Sequence, residues 1–117
     1  MENAIKENLK QYFDDIDGFS VEITEAKEML EVICPVLESD EMFWNHYLSL
    51  IVRVRNSEQN DLPFENNGDI SEASIDKARE FIDGISLFKV DTITDFEQYL
   101  LAIYFEKQVG KEVGSNG

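Results

Sequence analysis

Apolar residues recur at three- and four-residue intervals through most of the chain, the spacing of one face of an α-helix rather than the alternation of a strand. The first such segment runs from about Glu2 to Asp14 and places Ile5, Leu9, Tyr12 and Phe13 together; Asp14 to Ser20, with Gly18, reads as a turn. Thr24 is the expected N-cap of a second helix carrying Ala26, Met29, Leu30, Ile33 and Leu37, which Pro35 should kink or end because it has no backbone N–H to donate. Ser39-Asp40 opens a third helix from Glu41 to about Asn56, with acidic residues at its positive end. Its stripe of Met42, Phe43, Tyr47, Leu50, Ile51 and Val54 is joined by Trp44, Leu48 and Val52 off the stripe. A helix that is apolar nearly all round is central in its bundle or shared with a partner chain.

Residues 56 to 69 form a polar loop with Pro63 and the turn signal Asn66-Asn67-Gly68. Ser71 caps a fourth helix through Ala73, Ile75, Ala78, Phe81 and Ile82, and Gly84 marks its end. The alternating stretch Ile85 to Val90 has no strand to pair with and reads as an extended connector. Thr94-Asp95-Phe96-Glu97 has the spacing of a capping box and opens a fifth helix to about Val109 through Phe96, Leu100, Ile103 and Tyr104. The expected architecture is all-α: a single five-helix bundle over residues 1–109, followed by a flexible tail over 110–117.

Charge narrows the function. Twenty-five acidic against ten basic residues give a formal net charge of −15. Such a chain repels phosphate backbones and anionic lipid surfaces over a Debye length of about 8–10 Å, so neither nucleic acid nor a membrane is expected as a direct partner. The opening Met1-Glu2-Asn3-Ala4 lacks the blocks of a signal peptide and no apolar run approaches a membrane span, which makes a cytoplasmic protein the expectation. Cys34, the one cysteine, reads as a small buried residue, and one cysteine with one histidine builds no metal cluster. No phosphate loop or nucleophile elbow is present, and acidic pairs such as Asp14-Asp15 and Asp40-Glu41 sit at turns and caps rather than in catalytic dyads. An enzyme is not expected, and no cofactor is implied.

The segment with chemical content is Asn45-His46-Tyr47-Leu48-Ser49-Leu50-Ile51-Val52-Arg53. His46 and Arg53, two helical turns apart, share a face at an axial separation of about 10 Å. A neutral imidazole can accept a phosphoryl group, and a nearby guanidinium offsets the new charge. The plainer alternative is a hydrogen-bonded histidine at a helix seam, with Arg53 paired to a carboxylate.

Residues Phe43 to Arg55 resemble the first signature helix of the phosphotransferase-system regulation domain (PRD), in which a histidine-leucine pair is followed by an arginine seven positions after the histidine; His46-Tyr47 and Arg53 fill that frame. Glu97 to Phe105 is similar to the second signature helix, a tyrosine-leucine pair followed by a histidine, but Ile103 or Tyr104, depending on register, stands where that histidine belongs. The resemblance spans about Glu22 to Gln108. It implies a five-helix PRD bundle that dimerises, with His46 as phosphoacceptor, Arg53 as phosphate or ion-pair partner and Asn45 orienting the imidazole. It further implies a stand-alone regulator in sugar-phosphotransferase-dependent control of transcription, in contact with other PRD-containing regulators or phosphotransferase proteins. The missing second histidine keeps open a non-phosphorylated dimerisation module, and the acidic excess motivates a small carboxylate-based enzyme as a third reading.

Overall fold

The computed structural model describes residues 3–65, 68–88 and 92–115, with side chains as far as Gln108. Among these residues there are five α-helices and no strand: α1 Asn3–Leu9, α2 Ser20–Ile33, α3 Glu41–Arg55, α4 Glu72–Asp83 and α5 Asp95–Ser115. Two short 3-10 helices, Ile16–Phe19 and Pro35–Ser39, flank α2. None of the described helices is long and apolar enough to cross a membrane.

Local chemistry sets most of the boundaries. Asp40 caps α3 by accepting the Met42 and Phe43 amides at 3.0 and 3.2 Å. Ser71 caps α4 through the Ser74 amide, and Gly84 closes it. Pro35 ends α2 at Ile33 and starts the second 3-10 helix, since a proline supplies no amide to continue the α-ladder. Thr24 is not the N-cap expected of it. The 3-10 turn Ile16–Phe19 runs straight into α2, which therefore begins a full turn earlier, and Thr24 Oγ1 donates back to the Ser20 carbonyl at 2.9 Å from inside the helix. α1 stops at Leu9, short of the expected Asp14, and turns bonded to the Leu9 carbonyl carry the chain to Phe13. At the other end α5 extends past Val109 to Ser115; residues 116 and 117 of the expected tail lie outside the described residues. Asn66, Asn67, Lys89 and Val90, named in the loop and connector readings, also lie outside them.

α3 is the central helix. Phe43, Trp44, Tyr47, Leu48, Leu50 and Ile51 are all wholly buried. Phe43 meets Phe81 of α4 edge-on at 5.6 Å, Tyr104 and Phe105 of α5 at 5.8 and 6.4 Å, and stacks on Tyr47 at 6.1 Å. Burial of each such ring contributes about 1.5–3 kcal/mol, and the edge-on geometry adds specificity of orientation. Polar anchors fix α3 to α2. The Tyr47 hydroxyl donates to the Glu22 carbonyl at 2.7 Å, and Arg55 pairs with the buried Glu22 carboxylate at 2.6 Å while lying 4.9 Å over the Phe19 ring. On the far side α4 lies along α5, held by Arg79 Nε to Gln98 Oε1 at 3.2 Å and by Ser71 and Ser74, whose hydroxyls donate to Glu106.

Gly84 is a close approach rather than a flexible joint: a Cβ there would collide with Cγ and Sδ of Met29. Gly84→Ala should therefore destabilise the fold by about 1–3 kcal/mol in urea denaturation, and the same substitution should cost little in a Met29→Ala background.

Candidate functional site

His46 and Arg53 lie on the face of α3 that looks toward α5 and the end of α1. They line a cavity of about 360 Å³ with Asn45, Ser49 and Tyr104, rimmed by Tyr12, Glu41 and Met42. Asn45, Ser49 and Arg53 follow at four-residue intervals, so their polar ends form one row along the helix. A larger cavity, about 540 Å³, lies between α1, the first 3-10 helix and α2 among mixed charges, and contains none of the candidate residues.

The His46 ring is half-buried and packs 5.5 Å from Tyr104, tilted by 39°. Its Nε2 is shut off from solvent and bonded to no group among the described residues. Burial, and then the Arg53 cation, push the imidazole below its ordinary pKa; Glu97 opposes them with a smaller effect. The ring is accordingly neutral at physiological pH, the form in which a nitrogen lone pair is available. Tyr104 is the residue of α5 that faces His46, whereas its neighbour Ile103 packs against the core beside it. Burial followed by the Asp40 charge raises the Tyr104 phenol above its ordinary pKa, so it is a neutral hydroxyl at the cavity wall.

Arg53 is already engaged. Its Nε donates to Glu97 Oε2 at 2.7 Å and its terminal nitrogen to Oε1 at 3.0 Å, a bidentate pair between α3 and the first turn of α5. The Glu97 side chain is 0% exposed and that of Arg53 23%. Glu97 Oε2 also accepts the Asn60 amide at 3.1 Å. The capping box read at Thr94 is thus half realised. Thr94 Oγ1 accepts the Glu97 amide at 3.2 Å, but the carboxylate that should return to the Thr94 amide is committed to Arg53, and the side chain of Gln59 takes that amide instead, at 3.0 Å. Sequence reasoning assigned Glu97 to backbone capping and so missed it as the partner of Arg53. A pairing across 44 positions leaves no periodic signal in one sequence.

The acidic pairs sit where the sequence placed them, Asp15 accepting the Gly18 amide and Asp40 capping α3. Among the described residues no group of three histidine, cysteine, aspartate or glutamate side chains is arranged to hold a metal ion. Cys34 is buried between α2 and the second 3-10 helix.

Two outcomes follow from this geometry. Because the folded ring binds its proton less readily than the unfolded one, the stability its neutral form contributes is complete above about pH 6.5 and is lost as pH falls toward the depressed folded value. The chain has one histidine, so its single imidazole signal in an NMR titration should have a midpoint below about 6.5; a midpoint at or above that value contradicts the assignment. For the pair, Arg53→Leu should cost about 3–5 kcal/mol in chemical denaturation by stranding the buried Glu97 carboxylate, and the double variant Arg53→Leu/Glu97→Leu should recover most of the loss. Compared with family models, curated proteins and solved structures, the chain matches none.

Proposed function

We propose that this chain is a PRD-type regulatory module whose His46 accepts a phosphoryl group from a phosphohistidine carrier protein of the sugar-phosphotransferase class. It acts in the cytoplasm on carbohydrate-linked transcription through protein contacts, pairing with a second copy of itself or with the PRD of a larger regulator. The observation that carries this reading is the neutral His46 imidazole, its Nε2 without a hydrogen-bond partner among the described residues, on the wall of a polar cavity with Asn45, Ser49 and Arg53. The net charge of −15 argues that contact with nucleic acid is made by the partner.

The chemistry balances within the two proteins. A neutral ring nitrogen of His46 attacks phosphorus, and the new N–P bond forms as the carrier's N–P bond breaks with its electron pair returning to the carrier imidazole. The proton on the second nitrogen of His46 is released, and the carrier ring takes one up. Attack by Nε2 requires the ring to turn out of its packing against Tyr104. The Asn45 amide and Ser49 hydroxyl supply neutral donors to the added oxygens, and the guanidinium of Arg53 supplies charge that it otherwise gives to Glu97.

One observation favours a second reading, in which the bundle is a non-phosphorylated dimerisation module. Nε2 is closed off against Tyr104 and Arg53 is held by an internal carboxylate, as expected of a histidine retained for packing. Incubation with phosphoenolpyruvate and the general phosphotransferase proteins separates the two. Phosphoryl transfer predicts a mass increase of one phosphoryl group, labile in acid and absent from His46→Ala. Wild type and His46→Ala behaving alike, with no acid-labile phosphate, would leave the packing reading.

A further inference from the structure

The polar loop after α3 is not free. Ser57 takes a left-handed backbone, φ +56, and the Ser57 and Glu58 amides bond to the Val54 and Arg53 carbonyls, the pattern of a Schellman cap with serine where glycine is favoured. Two residues on, the Asn60 amide bonds to Glu97, the Asn60 carbonyl accepts the Thr94 hydroxyl, and the Gln59 side chain joins the Thr92 carbonyl to the Thr94 amide. Phe64 then lies 4.7 Å from the Tyr99 ring and 6.0 Å from Phe96, over a cavity of about 170 Å³ bordered by Ile75, Arg79 and Gln98. Contact is incomplete: Leu62 is 58% and Phe64 40% exposed. The segment is therefore held mainly by polar bonds at its start, and one of them, from the Asn60 amide, ends on Glu97, the partner of Arg53.

We infer that residues 58–65 form a releasable strap over the aromatic face of α5, latched by the Arg53–Glu97 pair, so that drawing Arg53 away from Glu97 opens the strap and uncovers Phe96 and Tyr99. Arg53 grips the strap at both ends of its first turn, by its carbonyl at Glu58 and through Glu97 at Asn60. When Arg53 leaves, the Glu97 carboxylate loses its cation partner among the described residues in a site sealed from water, and that cost is relieved when the strap lifts and admits solvent. The aromatic contact of Phe64 resists this only in part, because its ring is 40% exposed. A phosphoryl group on His46 competes with Glu97 for Arg53; only that trigger rests on the proposed function.

Hydrogen exchange of the unmodified and phosphoryl-loaded protein tests this. Glu97→Gln keeps the shape of the side chain and removes its charge. It should speed exchange of the Asn60 amide by about tenfold or more while leaving the α2 and α4 amides protected. Gln59→Leu removes the side-chain bonds to the Thr92 carbonyl and Thr94 amide, makes no contact with the ion pair, and should give the same local loosening if Glu97→Gln does not fold. Unchanged Asn60 protection in either folded variant would overturn the strap. Opening in the variants but not in phosphoryl-loaded wild type would overturn the trigger, and failure of the wild type to take up phosphate would count against His46 as acceptor while leaving the variant result to decide the latch.

Discussion

A carboxylate removed from water needs its charge answered on the spot, and in this bundle Glu97 is answered by Arg53. The bidentate bridge joins the C-terminal half of α3 to the first turn of α5, 44 positions apart, and a third bond to the same carboxylate comes from the loop at Asn60. Stranding either charge is far more costly than never having had the pair, so the arrangement is all or nothing. The candidate histidine sits two turns away on the same helix face; burial first and then Arg53 lower its proton affinity, and Glu97 raises it by less.

The rest of the fold keeps this corner in register. Phe43 and Tyr47 lock α3 against α4 and α5 through ring contacts, while Glu22 holds α3 to α2 by its carbonyl at Tyr47 and its carboxylate at Arg55. A core packed this tightly does not absorb a new charge by creeping. On the proposed reading, a phosphoryl group on His46 acts instead on the exposed side of α3, where Arg53 both lines the cavity and, through Glu97, meets the loop at Asn60.

The helical framework was legible in the sequence because its signals are local. Asp40, Ser71, Pro35 and Gly84 each act within four residues of themselves, and each marks a boundary in the structure. Thr24 misled because a hydroxyl one turn inside a helix and a hydroxyl at its cap look alike when the preceding 3-10 turn is not recognised. The site was half legible. The seven-residue spacing of His46 and Arg53 put them on one face, and they do line one cavity with Asn45. What occupies Arg53 was hidden, since Glu97 had a sufficient local explanation as a capping carboxylate and its true partner lies far along the chain. The resemblance to the PRD left the second signature position open between Ile103 and Tyr104, and it is the Tyr104 ring that stands against His46.

On the proposed reading, a neutral imidazole is joined to a latch it does not touch through the Arg53 cation. The Arg53 Nε–H, which donates to Glu97 at 2.7 Å, reports on that link directly. Its NMR resonance, followed while the imidazole is titrated, should be sharp and protected from exchange, and should move with the same midpoint as the His46 ring. A resonance that stays fixed through the imidazole titration would show that ring and ion pair are independent, and would contradict the account.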